Sequence, residues 1–150
     1  MTLRDKLFAD MQDAMRQREA GRTRLSVLRI VRAAVQNSEI EKQRQLTDDE
    51  VVGVIAKEVK DRREAIEEFK RLGGREDAIA RLEGEIAILG EYLPQQMSEE
   101  ELRAAAAAVI AEVGAVGARD IGKVMGPLMA RVRGRADGKL VNEIVRSMLK

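Results

Sequence analysis

The chain has 150 residues, with 27 Lys plus Arg against 26 Asp plus Glu, two Pro, and no Cys, His or Trp. Lacking Cys and His, it has no disulfide framework, thiol nucleophile, Cys/His zinc site or histidine triad, yet at this length it can bury roughly 70% of its unfolded surface. The net charge of +1 hides a division: residues 1–46 carry ten basic and six acidic groups, 47–114 nine and seventeen, and 115–150 eight and three, so the basic ends suit local attraction to an anionic partner.

Aromatic residues are 2% of the chain, and the Ala-, Leu-, Glu- and Arg-rich stretches show helical spacing with hardly any alternation, which favours helices over strands. A first helix opens at Thr2 with Asp5 three residues on, aligns Leu3, Leu7, Met11 and Ala14/Met15, and is expected to end at Gly21. A second, from about Arg22 to Glu41, turns Leu25, Leu28, Val31 and Val35 inward, with Val27, Ile30 and Ala34 beside them. Arg22, Arg29, Arg32 and Gln36 are expected opposite. The capping box Thr47-Asp48-Asp49-Glu50 opens a third helix, whose inner repeat Val51, Ile55, Val59, Arg62, Ile66, Phe69 faces away from i,i+4 charge pairs. Gly73-Gly74 stops it. A fourth helix carries Ile79, Leu82, Ile86, Leu89 and Leu93 up to Pro94 and pairs with the third as a hairpin.

Pro94 to Met97 is the best domain boundary, because a helix breaker precedes the capping box Ser98-Glu99-Glu100-Glu101. The next helix presents Leu102, Ala106, Val109, Ile110 and Val113 and ends at Gly114. Another is expected from a Gly117 cap, with Asp120 at its third position and a kink at Pro127, closing at Gly134. The last starts at the Asp137 cap and turns Leu140, Val141, Ile144, Val145 and Met148 inward. The expected fold is all-α, with a four-helix N-terminal subdomain at 2–93 and a three-helix C-terminal subdomain at 98–149. The charged start and the shortness of the longest apolar run, Ala104 to Ala111, point to a cytoplasmic protein without membrane association.

Gly117 to Val124 fits a phosphate-loop pattern until Val124 takes the place of the metal-binding hydroxyl, and no strand precedes it. The acidic triplets after Thr47 and Ser98 sit in first helical turns, where negative charge complements the helix dipole, so they read as caps and not as magnesium ligands. No catalytic constellation, metal site or cofactor signature is evident. Lys123, Arg131, Arg133, Arg135 and Lys139 crowd around the turn Gly134 to Gly138 with Asp137 as their one acidic neighbour, an arrangement suited to phosphate contacts. Gly122 and Gly126, four apart, permit either tight helix packing or close approach of a phosphate. Arg22, Arg29 and Arg32 form a secondary basic strip. With so few aromatics, any nucleic acid would be read by backbone and shape, as for structured RNA.

The segments Leu28 to Ala34, Glu58 to Glu64, Glu91 to Gln96, Gly122 to Gly126 and Gly134 to Gly138 resemble the YqeY-like family of small bacterial proteins over essentially the whole chain. That family shares its domain with the tail of the B subunit (GatB) of glutamine-dependent aspartyl/glutamyl-tRNA amidotransferase, where the helical tail contacts the outer corner of tRNA. Val141-Asn142-Glu143 is similar to that tail, while Ala136-Asp137-Gly138 stands where it usually has Ala-Asn-Pro. The amidotransferase catalytic cradle is absent. The resemblance thus implies a tRNA-binding accessory module, with Lys123, Arg131, Arg133, Arg135 and Lys139 on phosphates, Gly122, Gly126, Gly134 and Gly138 giving close approach, and a protein of the tRNA aminoacylation or amidation pathway as a further partner. The alternatives are a protein-interaction adaptor whose acidic middle helices dock a partner, and a component of a carbon–nitrogen ligase using glutamine as amido donor.

Overall fold

A computed structural model describes residues 1–150 and contains helices and turns only. The seven α-helices are α1 (Leu3–Arg16), α2 (Arg22–Lys42), α3 (Asp48–Leu72), α4 (Glu76–Gly90), α5 (Glu99–Val113), α6 (Ile121–Val132) and α7 (Gly138–Met148), with 3-10 turns at Arg18–Gly21 and Ala118–Asp120. The fold is all-α, as the spacing predicts. The chain divides into two compact units, Met1–Leu93 and Pro94–Lys150, each with its own apolar cluster. No helix is long and apolar enough to cross a membrane.

In the first unit, α1 pairs with α2, α3 pairs with α4, and α2 packs on α1, α3 and α4. Leu7, Met11, Val27, Leu28, Val31, Val35, Val51, Ile55, Val59 and Leu89 form its centre, each large aliphatic contributing roughly 1.5–3 kcal/mol through burial. Both Thr caps work reciprocally: Thr2 with Asp5 and Thr47 with Glu50 close full capping boxes. Polar groups then fasten the helix starts to their neighbours. Asp48 Oδ1 accepts the Leu3 N–H at 3.0 Å. Glu39 accepts from the Arg4 guanidinium and from the Leu46 N–H, both at 2.9 Å, and the Arg4 hydrogen bond holds its carboxyl below the usual range. Arg62, placed by its spacing in the apolar repeat of α3, is indeed buried. Its Nε and Nη1 donate to Glu85 and Glu58, each at 2.9 Å, so a buried cation paired with two carboxylates ties α3 to α4.

Three expectations fail locally, the first two because tertiary contact outweighs local signal. α1 ends at Arg16, not at Gly21. The chain then makes a 3-10 turn with Arg18 at positive φ, and Gly21 lies so close to α1 that a Cβ there would stand 2.2 Å from the Ala14 carbonyl oxygen. α4 ends at Gly90, before Leu93. There the chain tightens into i→i+3 bonds as Tyr92 turns inward and its hydroxyl donates to Asp10 at 2.6 Å, while Arg24 grips Glu91 at 2.8 Å. Burial, with the Asp10 carboxylate alongside, pushes the Tyr92 hydroxyl well above its ordinary pKa. Ile30 of α2 is 45% exposed and does not join the core.

In the second unit, α5, α6 and α7 pack pairwise around Leu102, Ala106, Val109, Val124, Leu128, Val132, Val141, Ile144 and Val145. Ser98 caps α5 by accepting the Glu101 N–H at 3.1 Å, but the reciprocal half of a capping box is not formed. α5 stops at Gly114, whose φ of 67° favours glycine. α6 runs on through Pro127 as one helix. On α7, Leu140 is 38% exposed where its spacing predicts an inward face. Val141, Ile144 and Val145 already fill that stripe.

Candidate nucleic-acid interface

The second unit places the C-terminal basic residues unequally. Arg131 is paired with Glu112 of α5, a hydrogen bond that raises the arginine's pKa and lowers the carboxyl's. Lys123 lies 3.5 Å from Asp120. Positive charge is therefore partly neutralised locally, contrary to the reading from charge density alone, although exposed pairs of this kind hold their partners weakly. Arg133, the residue capping the end of α6, is exposed and has no acidic partner within salt-bridge range. Lys139 is exposed on the first turn of α7.

Arg135 is partly structural, because its Nε donates to the Gln95 carbonyl at 3.0 Å. Two further bonds hold the same turn: Gln96 Nε2 donates to the Gly134 carbonyl at 2.8 Å, and the Met97 N–H donates to the Arg135 carbonyl at 2.9 Å. Gly134, at φ 75°, is buried and makes the reversal possible. Sequence reasoning missed the Gln95 to Met97 clamp, since a polar pair after proline reads as linker. Asp137 occupies the cap position of α7, but its side chain accepts no capping bond, so no side chain takes up the first N–H groups of α7 there. Gly138 lies in ordinary contact with the Met129 methyl, 3.6 Å from an added Cβ.

Gly122 and Gly126 settle differently from the packing reading. A Cβ at either would meet nothing within 4 Å, so neither is required by packing inside the chain. Gly122, Lys123, Gly126, Pro127 and Ala130 are all exposed, while Val124, Leu128 and Val132 point into the core. The stretch resembling a phosphate loop is a 3-10 turn running into the first turn of α6. Gly117 precedes the 3-10 segment, and the Asp120 carboxylate accepts the Val116 N–H at 3.0 Å, the leading cause of its lowered pKa. A carboxylate thus fills the position an anion would need.

The three arginines of the secondary strip differ in their surroundings. Arg22 is highly exposed and 3.8 Å from Glu19. Arg29 and Arg32 instead line a groove between α1 and α2, and the Arg32 guanidinium lies 4.6 Å from the centroid of the Phe8 ring. The acidic triplets lie in the first turns of α3 and α5; Glu50 closes the α3 capping box and also holds Arg44 and Lys42 at 2.7 and 2.9 Å.

The chain is 27% identical over 150 residues to "Altered inheritance of mitochondria protein 41, mitochondrial" of Pyrenophora tritici-repentis (strain Pt-1C-BFP), an alignment covering 96% of this chain and 79% of that protein. Residues 4–149 match the family described as Yqey-like protein. With both units inside that match, and with the Gly122 to Gly126 and Gly134 to Gly138 segments in the helix and turn just described, the chain belongs to the YqeY-like family.

Proposed function

We propose that the second unit binds the phosphate backbone of a structured RNA, with tRNA as the ligand, and that the protein acts as an accessory module without a catalytic step of its own. The observation that carries this reading is the open glycine face of α6, where Gly122 and Gly126 have no partner inside the chain and an exposed lysine, Lys123, lies between them. Bare helix backbone next to a cation lets a phosphate approach more closely than any side chain would allow. Arg133 and Lys139 supply further charge, Arg135 and Gly134 set the turn, and the α7 N-terminus at Gly138 adds N–H groups. Arg131 contributes once it exchanges Glu112 for phosphate. The family's kinship with the amidotransferase tail favours tRNA over other RNAs, and the cytoplasm is the place of action on this reading.

The test is anisotropy titration of labelled tRNA against a DNA duplex of equal length over a range of salt. Affinity should fall with a log–log slope of roughly −0.8 per phosphate contact, near −3 for three to four contacts. Gly126→Leu is the informative variant. It should weaken tRNA binding at least tenfold by blocking approach, and because a side chain before Pro127 disfavours helical backbone, the variant's helical circular dichroism is compared with that of the unchanged protein. Arg133→Glu should weaken binding without affecting folding. Equal affinity for duplex and tRNA, or unchanged binding by Gly126→Leu, would reject the proposal in favour of an adaptor without RNA binding.

A further inference from the structure

The first unit carries a feature that an RNA-binding second unit leaves unexplained. Along the seam of α1 and α2 runs an open groove of about 330 Å³ lined by Met11, Met15, Arg29, Arg32, Ala33 and Gln36. Gln36 also lines a second hollow, of about 610 Å³, that reaches Ile40. Three large apolar side chains are exposed here or on the same outer side of α2: Met15 at 50%, Ile30 at 45% and Ile40 at 75%. From Ile30 to Ile40 this side of the helix spans about 15 Å.

The groove carries two cations and no anion. Arg4, Arg24, Lys42, Arg44, Lys57 and Arg62 all meet carboxylates, whereas Arg29 and Arg32 have no acidic partner within salt-bridge range, and no carboxylate lines the groove they share. Arg32 is held in place by its contact with Phe8, and its Nε is buried without an acceptor. A guanidinium already fixed loses little freedom on binding. Arginine and methionine set side by side are characteristic of the cores of protein interfaces.

We infer that the α1/α2 groove docks an acidic amphipathic helix of a partner protein, with apolar side chains at i, i+3/i+4 and i+7 seated against Met15, Ile30 and Ala33, and flanking carboxylates on Arg29 and Arg32. Charge complementarity selects the acidic partner, and the exposed apolar residues select a helix over a nucleic acid, whose sugar-phosphate edge would leave Met15, Ile30 and Ile40 uncovered. This surface differs from the acidic helix faces on which an adaptor role would otherwise rest, and it does not depend on RNA binding by the second unit.

The experiment uses the full chain labelled at its methionine methyl groups, titrated with a peptide of about 16 residues carrying Leu on one helical face and Glu on the other. Saturable shifts of the Met11 and Met15 methyls are expected, with none from the same peptide carrying Lys in place of Glu. Met15→Glu and Arg29→Glu, both at exposed positions, should each weaken binding about tenfold with helical circular dichroism unchanged. Arg29→Lys should retain part of the affinity. Unmoved methyls at saturating peptide, equal binding of the Lys peptide, or shifts of these two methyls by tRNA instead would overturn the inference, the last by returning Arg29 and Arg32 to a nucleic acid.

Discussion

Replacing Arg62 by Ala tests the link between α3 and α4. The guanidinium makes two charged hydrogen bonds of 2.9 Å, to Glu58 and Glu85, whose side chains are only 17% and 18% exposed. Two unit charges about 4 Å apart attract by about 4 kcal/mol at an effective dielectric of 20, and desolvation returns most of that. The net value of one charge-assisted hydrogen bond is about 1.5–3 kcal/mol. Removing Arg62 leaves two carboxylates without their shared cation, a change that costs about 3–5 kcal/mol when the pair is fully buried. Partial exposure lowers the expected loss to about 3 kcal/mol. A double-mutant cycle with Glu85→Gln should show coupling of about 1–2 kcal/mol, and Arg62→Met, which retains packing, should cost less than Arg62→Ala. The assay is urea unfolding followed by the fluorescence of Tyr92, the single tyrosine of a chain without tryptophan, which reports on the first unit alone. A loss below about 1 kcal/mol, or no coupling to Glu85, would show that Arg62 fills space and nothing more.

Because Tyr92 has a raised pKa, its contribution to stability is fully present below the ordinary phenol value of about 10 and is lost as pH rises from there toward the folded value. Tyrosinate absorbance should therefore appear together with alkaline unfolding, and a simple titration near the ordinary value in the folded protein would refute the Asp10 contact. Gly21→Ala should destabilise by about 2–3 kcal/mol, since the new methyl meets Ala14 backbone; a neutral or raised melting temperature would contradict that packing. A fragment of residues 94–150 should fold alone and melt cooperatively by circular dichroism, its ten-residue cluster and Ser98 cap lying within it; a fragment without a cooperative transition would tie its core to the first unit.

What the sequence made legible follows the range of each signal. Thr47 with Glu50, Gly73 at the end of α3, Gly114 at the end of α5 and Arg62 in an apolar repeat are encoded within a few residues, and structure and pattern agree there. The stop of α1 at Arg16 is not local. Arg16 to Ala20 contain no breaker, and the turn follows from Gly21 seating against Ala14. Likewise, spacing places Arg32 on the outer face of α2 but cannot foresee the Phe8 ring beside it. At the candidate interface, the charge density around Gly134 was visible. The partner Glu112, on a different helix, was not, and Asp120, three residues before Lys123, reads only as part of a helix start. The two glycines of α6 carry the sharpest lesson: their spacing shows that they share a face, while only three-dimensional packing shows that the face is empty.

Pro127 in the middle of α6 has a chemical consequence beyond helix geometry. Without an N–H, it leaves the carbonyl of Lys123 with no donor four residues on, and Lys123, Gly126 and Pro127 are all exposed. That carbonyl thus lacks its helical donor on the turn of α6 that also carries the exposed lysine and Gly126. Phosphate oxygens cannot donate to it, but a ribose 2′-hydroxyl can, and deoxyribose has none. On the RNA-binding reading proposed above, a 2′-hydroxyl donating to this carbonyl would let the protein tell RNA from DNA.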